Sequence, residues 1–384
     1  MNDLSQNGSS PNLFLDGALA SRLRAAIEDV FTVIEVDIPK EQAKGTIIFR
    51  GDLKYDDSEI AYELLAERWL SLDYTPMLRR SGTSTMVELI ANPGTIHPKP
   101  SDPRINVILF IITVISMLVI GAMNEGVNPF ENPGGITAGL PFALSFLAIL
   151  GAHEFGHYFV ARYHKVAVTL PYFIPFPISL WGTLGAFIQL RSPPKTKKAL
   201  FDVGVAGPIA GLVVAIPVLI IGLMLSEVEP LPPEGGYLME GNSILYRSIK
   251  FLIFGQVLPN GEIDVFLHPL AWAGWSGLLV TVLNLLPVGQ LDGGHITYVL
   301  FDRYTRPLGF AMIGIMLILG LILWEGWLLW ALITFLLVGT GHPPPLNDLV
   351  PLGNRRRLLA IAMIIVFVLL FTPSPITIVE AVAQ

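Results

Sequence analysis

Apolar and polar positions are distributed differently before and after residue 104 or so. Before it, no apolar run is long. "LASRLRAAIEDVF" (19–31) predicts a helix. "TVIEVDI" (32–38) and "GTIIFRGDL" (45–53), rich in β-branched residues, predict strands. In 57–72, Ala61, Leu64, Leu65 and Trp69 recur at helical spacing and predict an amphipathic helix. "YTPMLRRS" (74–81) and "STMVELIAN" (84–92) predict a hairpin. These elements make a small α+β domain over 1–100, followed by the proline-rich linker 92–104. After it, apolar segments dominate: 105–123, 140–163, 199–225, 270–291, 309–323, 327–340 and 357–372. Each approaches the roughly 20 residues a membrane helix needs. The short fifth and sixth flank "LWEGW", a tight turn. The expected fold is therefore mostly α: about seven spans over 101–384, plus the N-terminal α+β domain.

Lys and Arg orient these spans. Arg104, Arg162, Lys165, Arg191, Lys195, Lys197, Lys198, Arg303, Arg306 and Arg355 to Arg357 fall on one side if the spans alternate. Only Arg247 and Lys250, in the Glu-bearing loop 226–268, fall on the other. The basic side is cytoplasmic by the positive-inside rule. The N-terminal domain is then cytoplasmic, in a bacterial inner membrane. The first residues lack a basic region followed by an apolar core, so no secretory signal is expected.

Composition agrees. The chain is 384 residues, 52% hydrophobic and 14% charged, against about 25% charged in soluble domains. It has no cysteine, so any metal must be held by His, Asp or Glu. No basic run suggests nucleic acid. One segment, "WGTLGAFIQLRSPPKTKKAL" (181–200), is too broken and polar to span. Irregular backbone at membrane depth survives only where protein or a wet cavity satisfies it, so this segment predicts a re-entrant strand or hairpin entering from the cytoplasmic side.

The second apolar segment carries His153, Glu154 and His157. Glu154 lies about 16 Å from the Lys165 end at ~1.5 Å per residue, near mid-bilayer. Two His four apart share one helix face and suit one zinc ion, and the intervening Glu suits a general base. The blander alternative, simple interhelical hydrogen bonds, leaves three polar residues in the membrane at a few kcal/mol each. A catalytic zinc needs a third protein ligand. Asp292, after Pro287 and before Gly293 and Gly294, is one choice; an ordinary residue at a helix end is the other.

HEFGH (153–157) together with Asn284, Pro287, Leu291, Asp292, Gly293 and Gly294 resembles the site-2 protease family of intramembrane zinc metalloproteases. "GTLGAFIQL" resembles that family's re-entrant β-segment and "GPIAG" (207–211) its following span. The resemblance covers about 140–300. The N-terminal domain and "GHPPPLND" (341–348) resemble the plastid and cyanobacterial branch. No PDZ-like insert lies between the motif-bearing spans. The resemblance implies Zn2+ held by His153, His157 and Asp292, Glu154 as catalytic base, and Asn284 near the substrate carbonyl. It implies single-span membrane proteins as substrates, within the lipid bilayer. Asn284 otherwise serves as an interhelical hydrogen bond. His295 suits a supporting role, His164 an interfacial one, and His342 has no assignment. Gly207 and Gly211 form a helix-packing GxxxG. His97 and His268 carry no signal.

Three other functions compete. A zinc or proton transporter also places His and Asp in spans, but needs no base beside its ligands. A non-catalytic relative that binds membrane proteins would not need Glu154. A prenyl-processing type of metalloprotease takes Glu as third ligand, but the outer-loop Glu residues and Glu325 lie on the wrong side.

Overall fold

The computed structural model describes residues 11–39, 45–81, 85–98, 102–232 and 236–379. The N-terminal decapeptide, on which the absence of a signal was read, and 99–101 of the linker lie outside these.

The chain divides into two compact units. The first gathers the N-terminal 99 residues with 192–198 and 344–352. Its antiparallel sheet has the order β1-β2-β4-β3, from β1 (Phe31–Asp37), β2 (Ile47–Leu53), β3 (Tyr74–Arg80) and β4 (Val87–Pro93). Helices α1 (Pro11–Ala25) and α2 (Ser58–Leu70) bury Leu23, Leu65 and Trp69 with Phe31, Phe49 and Leu89. Asp57 caps α2 by accepting from the N–H of Glu59. The helix expected over 19–31 ends at Ala25 instead. Glu28 and Asp29 would put negative charge at a helix C-terminus, where the macrodipole opposes it, and Asp29 pairs with Arg68. The other two segments complete the unit through main-chain bonds. Leu78 donates to Leu346 O at 2.8 Å, and Leu346 and Asn347 donate to Pro194 and Lys195. Lys197 pairs with Asp348 at 3.2 Å.

The second unit holds the apolar helices α3 (Pro103–Asn124), α4 (Leu140–Tyr163), α5 (Lys197–Met224), α7 (Pro269–Asn284), α9 (Thr305–Ile322), α10 (Gly326–Ile333) and α11 (Asn354–Leu370). Every segment expected to span is thus helical. By length and composition, however, four helical stretches among the described residues suffice to cross a membrane: Pro103–Asn124, Pro133–Tyr163, Lys197–Met224 and Asp292–Ile322. The expected span 270–291 is shorter than its apolar run. Pro287 disfavours helical backbone at the residue before it, so α7 closes at Asn284 and a turn follows. Asp292 therefore opens a new helix, α8 (Asp292–Phe301), rather than ending one. Ile105, Val107, Ile108, Ile111 and Ile115 of α3 are all exposed, an apolar surface that suits lipid and not water.

The segment at 181–200 forms a strand, β6 (Thr183–Phe187), antiparallel to β5 (Tyr172–Pro175). The hairpin's partner arm lies upstream, not beyond the Pro193-Pro194 pair: Thr169 donates to Gln189 O and Arg191 to Ala167 O. Gly182, at φ 72°, needs both its conformation and its missing Cβ, which would fall 2.8 Å from Ser116 O. The loop 226–268 is itself folded. β7 (Glu227–Pro230) pairs with β9 (Ile263–Phe266), and β8 (Tyr237–Glu240) with β10 (Ile376–Val379). Between them α6 (Ile244–Phe254) brings Lys250, fully buried, to Glu240 at 3.2 Å and Asp264 at 3.1 Å. The Tyr246 hydroxyl donates to Glu240 at 2.8 Å. Burial pushes the Glu240 carboxyl above its ordinary range, with Lys250 opposing.

Candidate metal centre

His153 and His157 lie one turn apart on the buried face of α4, with Glu154 beside them. Their rings need room, and α5 supplies it with glycine. A Cβ on Gly207 would fall 2.0 Å from His157 Nε2, and one on Gly211 3.1 Å from His153 Nδ1. The expected GxxxG face is thus a packing face set directly against the paired rings. The Val203 carbonyl lies 2.7 Å from His157 Nδ1. A carbonyl can only accept, so Nδ1 carries the hydrogen and Nε2 of the neutral ring is a bare lone pair.

Asp292 reaches the same point from α8. The turn between Asn284 and Asp292 doubles back tightly enough that a Cβ on Gly293 would fall 2.0 Å from Leu285 O, and one on Gly294 2.1 Å from Gly289 O. Both adjacent glycines are therefore required where the carboxylate is delivered. Asp292 Oδ2 lies 3.2 Å from His153 Nε2 and Oδ1 lies 3.2 Å from His157 Nε2. The two Nε2 atoms are themselves 3.2 Å apart.

These separations decide what the cluster suits. Two imidazole nitrogens and a carboxylate, facing one another in a buried pocket, repel unless a cation or protons lie between them. Tetrahedral zinc with bonds of ~2.0–2.1 Å sets neighbouring ligand atoms about 3.3 Å apart. The two Nε2 atoms stand close to that separation, and each has one oxygen of the Asp292 carboxylate at a similar distance, Oδ2 for His153 and Oδ1 for His157. Among the described residues, this is the group of His, Asp and Glu whose ligand atoms converge.

Glu154 is buried and lines the same cavity as Ile188, just beyond β6. Asn284, the last residue of α7, puts Nδ2 3.3 Å from His153 Nε2. All five expected site residues thus meet, and they line a cavity of about 390 Å³ with residues 186–190, Gln290 and His295. His164 is not merely interfacial. Its Nε2 lies 2.9 Å from Asp202, which also holds Arg356 of α11 through two bonds of 2.7 and 2.8 Å. Val203 escaped the sequence reading, because it acts through its backbone, which no side-chain pattern reveals; Gly207 was visible only as a packing glycine.

Residues 141–324 match Peptidase family M50. The chain is 32% identical over 296 residues to a rice (Oryza sativa subsp. japonica) protein named "Probable zinc metalloprotease EGY1, chloroplastic", covering 70% of this chain and 50% of that one. The Arabidopsis thaliana protein of the same name is 32% identical over 310 residues, covering 71% and 55%. The Arabidopsis "Probable zinc metalloprotease EGY2, chloroplastic" is 26% identical over 286 residues, covering 69% and 49%. The chain spans about half the length of these curated relatives. No solved structure matches it.

Proposed function

Through residues 141–324 this chain belongs to peptidase family M50, and from that premise we propose that it is an intramembrane zinc metalloprotease that hydrolyses peptide bonds of single-span membrane proteins. The observation that carries the reading is the convergence of the His153 and His157 Nε2 atoms and the Asp292 carboxylate, with Glu154 buried beside them. When bound there, zinc supplies Lewis acidity and a water acidic enough to lose its proton near neutral pH.

The chain's own residues do the rest. Glu154 takes the proton of the attacking water and passes it to the leaving amine. The Val203 carbonyl fixes the tautomer and angle of His157. The Asn284 amide, beside His153, donates toward the scissile carbonyl. A peptide bond in a helix is shielded by its own ladder, so the substrate must be extended. In β6 and its continuation, Gln189 and Arg191 bond to the partner arm, which leaves the backbone at 188 and 190 facing away from it, on the cavity side. A substrate strand pairs there by main-chain bonds with little sequence preference.

The finer topology is part of this proposal. α7, α10 and α11 join the four long stretches to make seven crossings, with the N-terminus and the basic loops cytoplasmic, in a bacterial inner membrane. The relatives' names specify the chloroplast; if the chain instead resides in a plastid, the basic loops face the stroma.

The test uses purified wild-type chain and Glu154→Gln, with zinc counted in each, incubated with a single-span reporter. The expected result is zinc in both and cleavage by the wild type alone. Equal cleavage by both removes Glu154 from the chemistry, and zinc flux without cleavage favours transport.

A further inference from the structure

We propose that the groove between α8, α9 and α11 binds one anionic glycerolipid, with its acyl chains in the groove and its phosphodiester on Arg303 and Arg306 at the mouth. The site rests on the proposed membrane placement and not on the proteolytic chemistry.

The groove has a volume of about 740 Å³. Its floor is buried, from Gly293 and Ile296 of α8 and Met363 of α11. Its rim is exposed, at Phe301, Tyr304, Ile315 and Val368. It is therefore open to the side rather than enclosed. Two of the lining side chains carry a hydroxyl, and both hydroxyls are paired. Thr297 donates to Gly293 O at 2.6 Å, and Tyr304 accepts from Arg303 at 2.9 Å. Water needs two to four polar partners to stay in a cavity and finds few here. Hydrocarbon restores the dispersion contacts that an unfilled lining lacks. Leu285, Pro287 and Gly293 of the wall belong to the stretch that delivers Asp292, so the lipid packs against the back of that stretch.

Length selects the occupant. Arg306 lies nine residues before Ile315 on α9, and Arg357 eleven before Val368 on α11. At ~1.5 Å per residue these are about 14 and 16 Å. One leaflet of hydrocarbon is about 15 Å deep. Two separate helices thus set a basic side chain one leaflet's depth from the inner end of the groove. Arg357 is seven residues before Ile364, a lining residue, and so shares its helix face. A substrate helix, ~10–12 Å across with its side chains, fills about 1,200 Å³ over the same depth, which exceeds the groove.

The charge at the mouth has the matching sign. The Arg303 guanidinium lies over the Tyr304 ring, 4.9 Å from its centroid, and that ring lines the groove. Arg306 lies 5.9 Å from the centroid of Phe310. Both arginines are exposed, and neither pairs with a carboxylate among the described residues. Asp302 is the one acid in 302–306, so the turn keeps a net positive charge. Guanidinium forks match phosphodiester oxygens, and their aromatic neighbours hold them at the rim.

The test titrates delipidated, zinc-loaded full-length chain in detergent with dioleoylphosphatidylglycerol or dioleoylphosphatidylcholine, and counts bound lipid by native mass spectrometry. It compares wild type, Arg303→Gln/Arg306→Gln, Ala311→Trp and Arg247→Gln. Ala311 is exposed on the groove wall, so the indole enters open space and not the core. The wild type is expected to bind one phosphatidylglycerol per chain, about 10-fold or more tighter than phosphatidylcholine. The double arginine variant should weaken phosphatidylglycerol by about 30-fold and leave phosphatidylcholine unchanged. Ala311→Trp should abolish saturable binding of both, and Arg247→Gln, in the loop on the other side, should change neither. Phosphatidylglycerol held equally by wild type and the double variant overturns the proposal, as does Ala311→Trp that binds like wild type. Glycerol 1-phosphate that displaces the lipid as well as whole phosphatidylglycerol does would place binding on the charges alone and overturn it too. A single-span reporter that displaces the lipid from wild type would assign the groove to substrate instead. None of these readings requires that the chain cleave.

Discussion

At the residue scale, glycine matters as much as the proposed ligands. Gly207 has no chemistry, yet its missing Cβ is the space that His157 Nε2 occupies. Gly207→Ala should displace that ring, with zinc content falling well below one per chain and cleavage lost. Gly151→Ala, on α4 with nothing within 4 Å of the added carbon, should keep both, gaining up to about 1 kcal/mol in helix stability. Zinc analysis of both variants checks this; a Gly207→Ala chain with full zinc would show that the rings are not confined as described. His153, Glu154 and His157 were legible in the sequence because their spacing and cost in a span admit few explanations. Asp292 was legible only with the family pattern beside it, since a lone carboxylate near a proline reads equally well as an ordinary residue. The partner that orients His157 was not legible, because the Val203 carbonyl is a group every residue carries.

At the scale of elements, the short pieces around the long helices do most of the positioning. The turn after α7 exists because Pro287 stops the helix, and it converts one expected span into two helices that present Asn284 and Asp292 to the same pocket. Strand alternation in the 183–190 region was readable from sequence, but its partner was not. The residues of β5 (Tyr172–Pro175) lie in the apolar, proline-bearing stretch 166–178, which shows no clear alternation of its own. The fold of 226–268 was hidden for a similar reason: its centre is a charge cluster, which sequence patterning treats as surface. Lys250 sits fully buried between Glu240 and Asp264. Lys250→Met leaves two buried carboxylates without their cation and should cost about 3–5 kcal/mol of the stability of this region. Protease susceptibility of 226–268 measures it directly. Adding Glu240→Gln and Asp264→Asn should restore much of the loss, and a Lys250→Met chain as resistant as wild type would mean the cluster is not structural.

For the whole molecule, apolar periodicity located every long helix, and charge placement suggested which ends lie together. What it did not show is that 344–352 pairs with the N-terminal sheet and 192–198 with 344–352, because main-chain bonds across more than a hundred residues leave no local pattern. The proposed orientation can be tested because the chain has no cysteine of its own. Glu262→Cys and Arg303→Cys should react with a membrane-impermeant maleimide from opposite sides of sealed vesicles; labelling from one side would break the alternation.

The central claim is that His153, His157 and Asp292 hold one zinc ion. X-ray absorption at the zinc edge, on the inactive Glu154→Gln chain, addresses it most directly. The expected result is one zinc per chain with two imidazole nitrogens and carboxylate or water oxygens at ~2.0–2.1 Å, and loss of that zinc in His153→Ala/His157→Ala. Stoichiometric zinc with an unchanged first shell in the double variant would contradict the account.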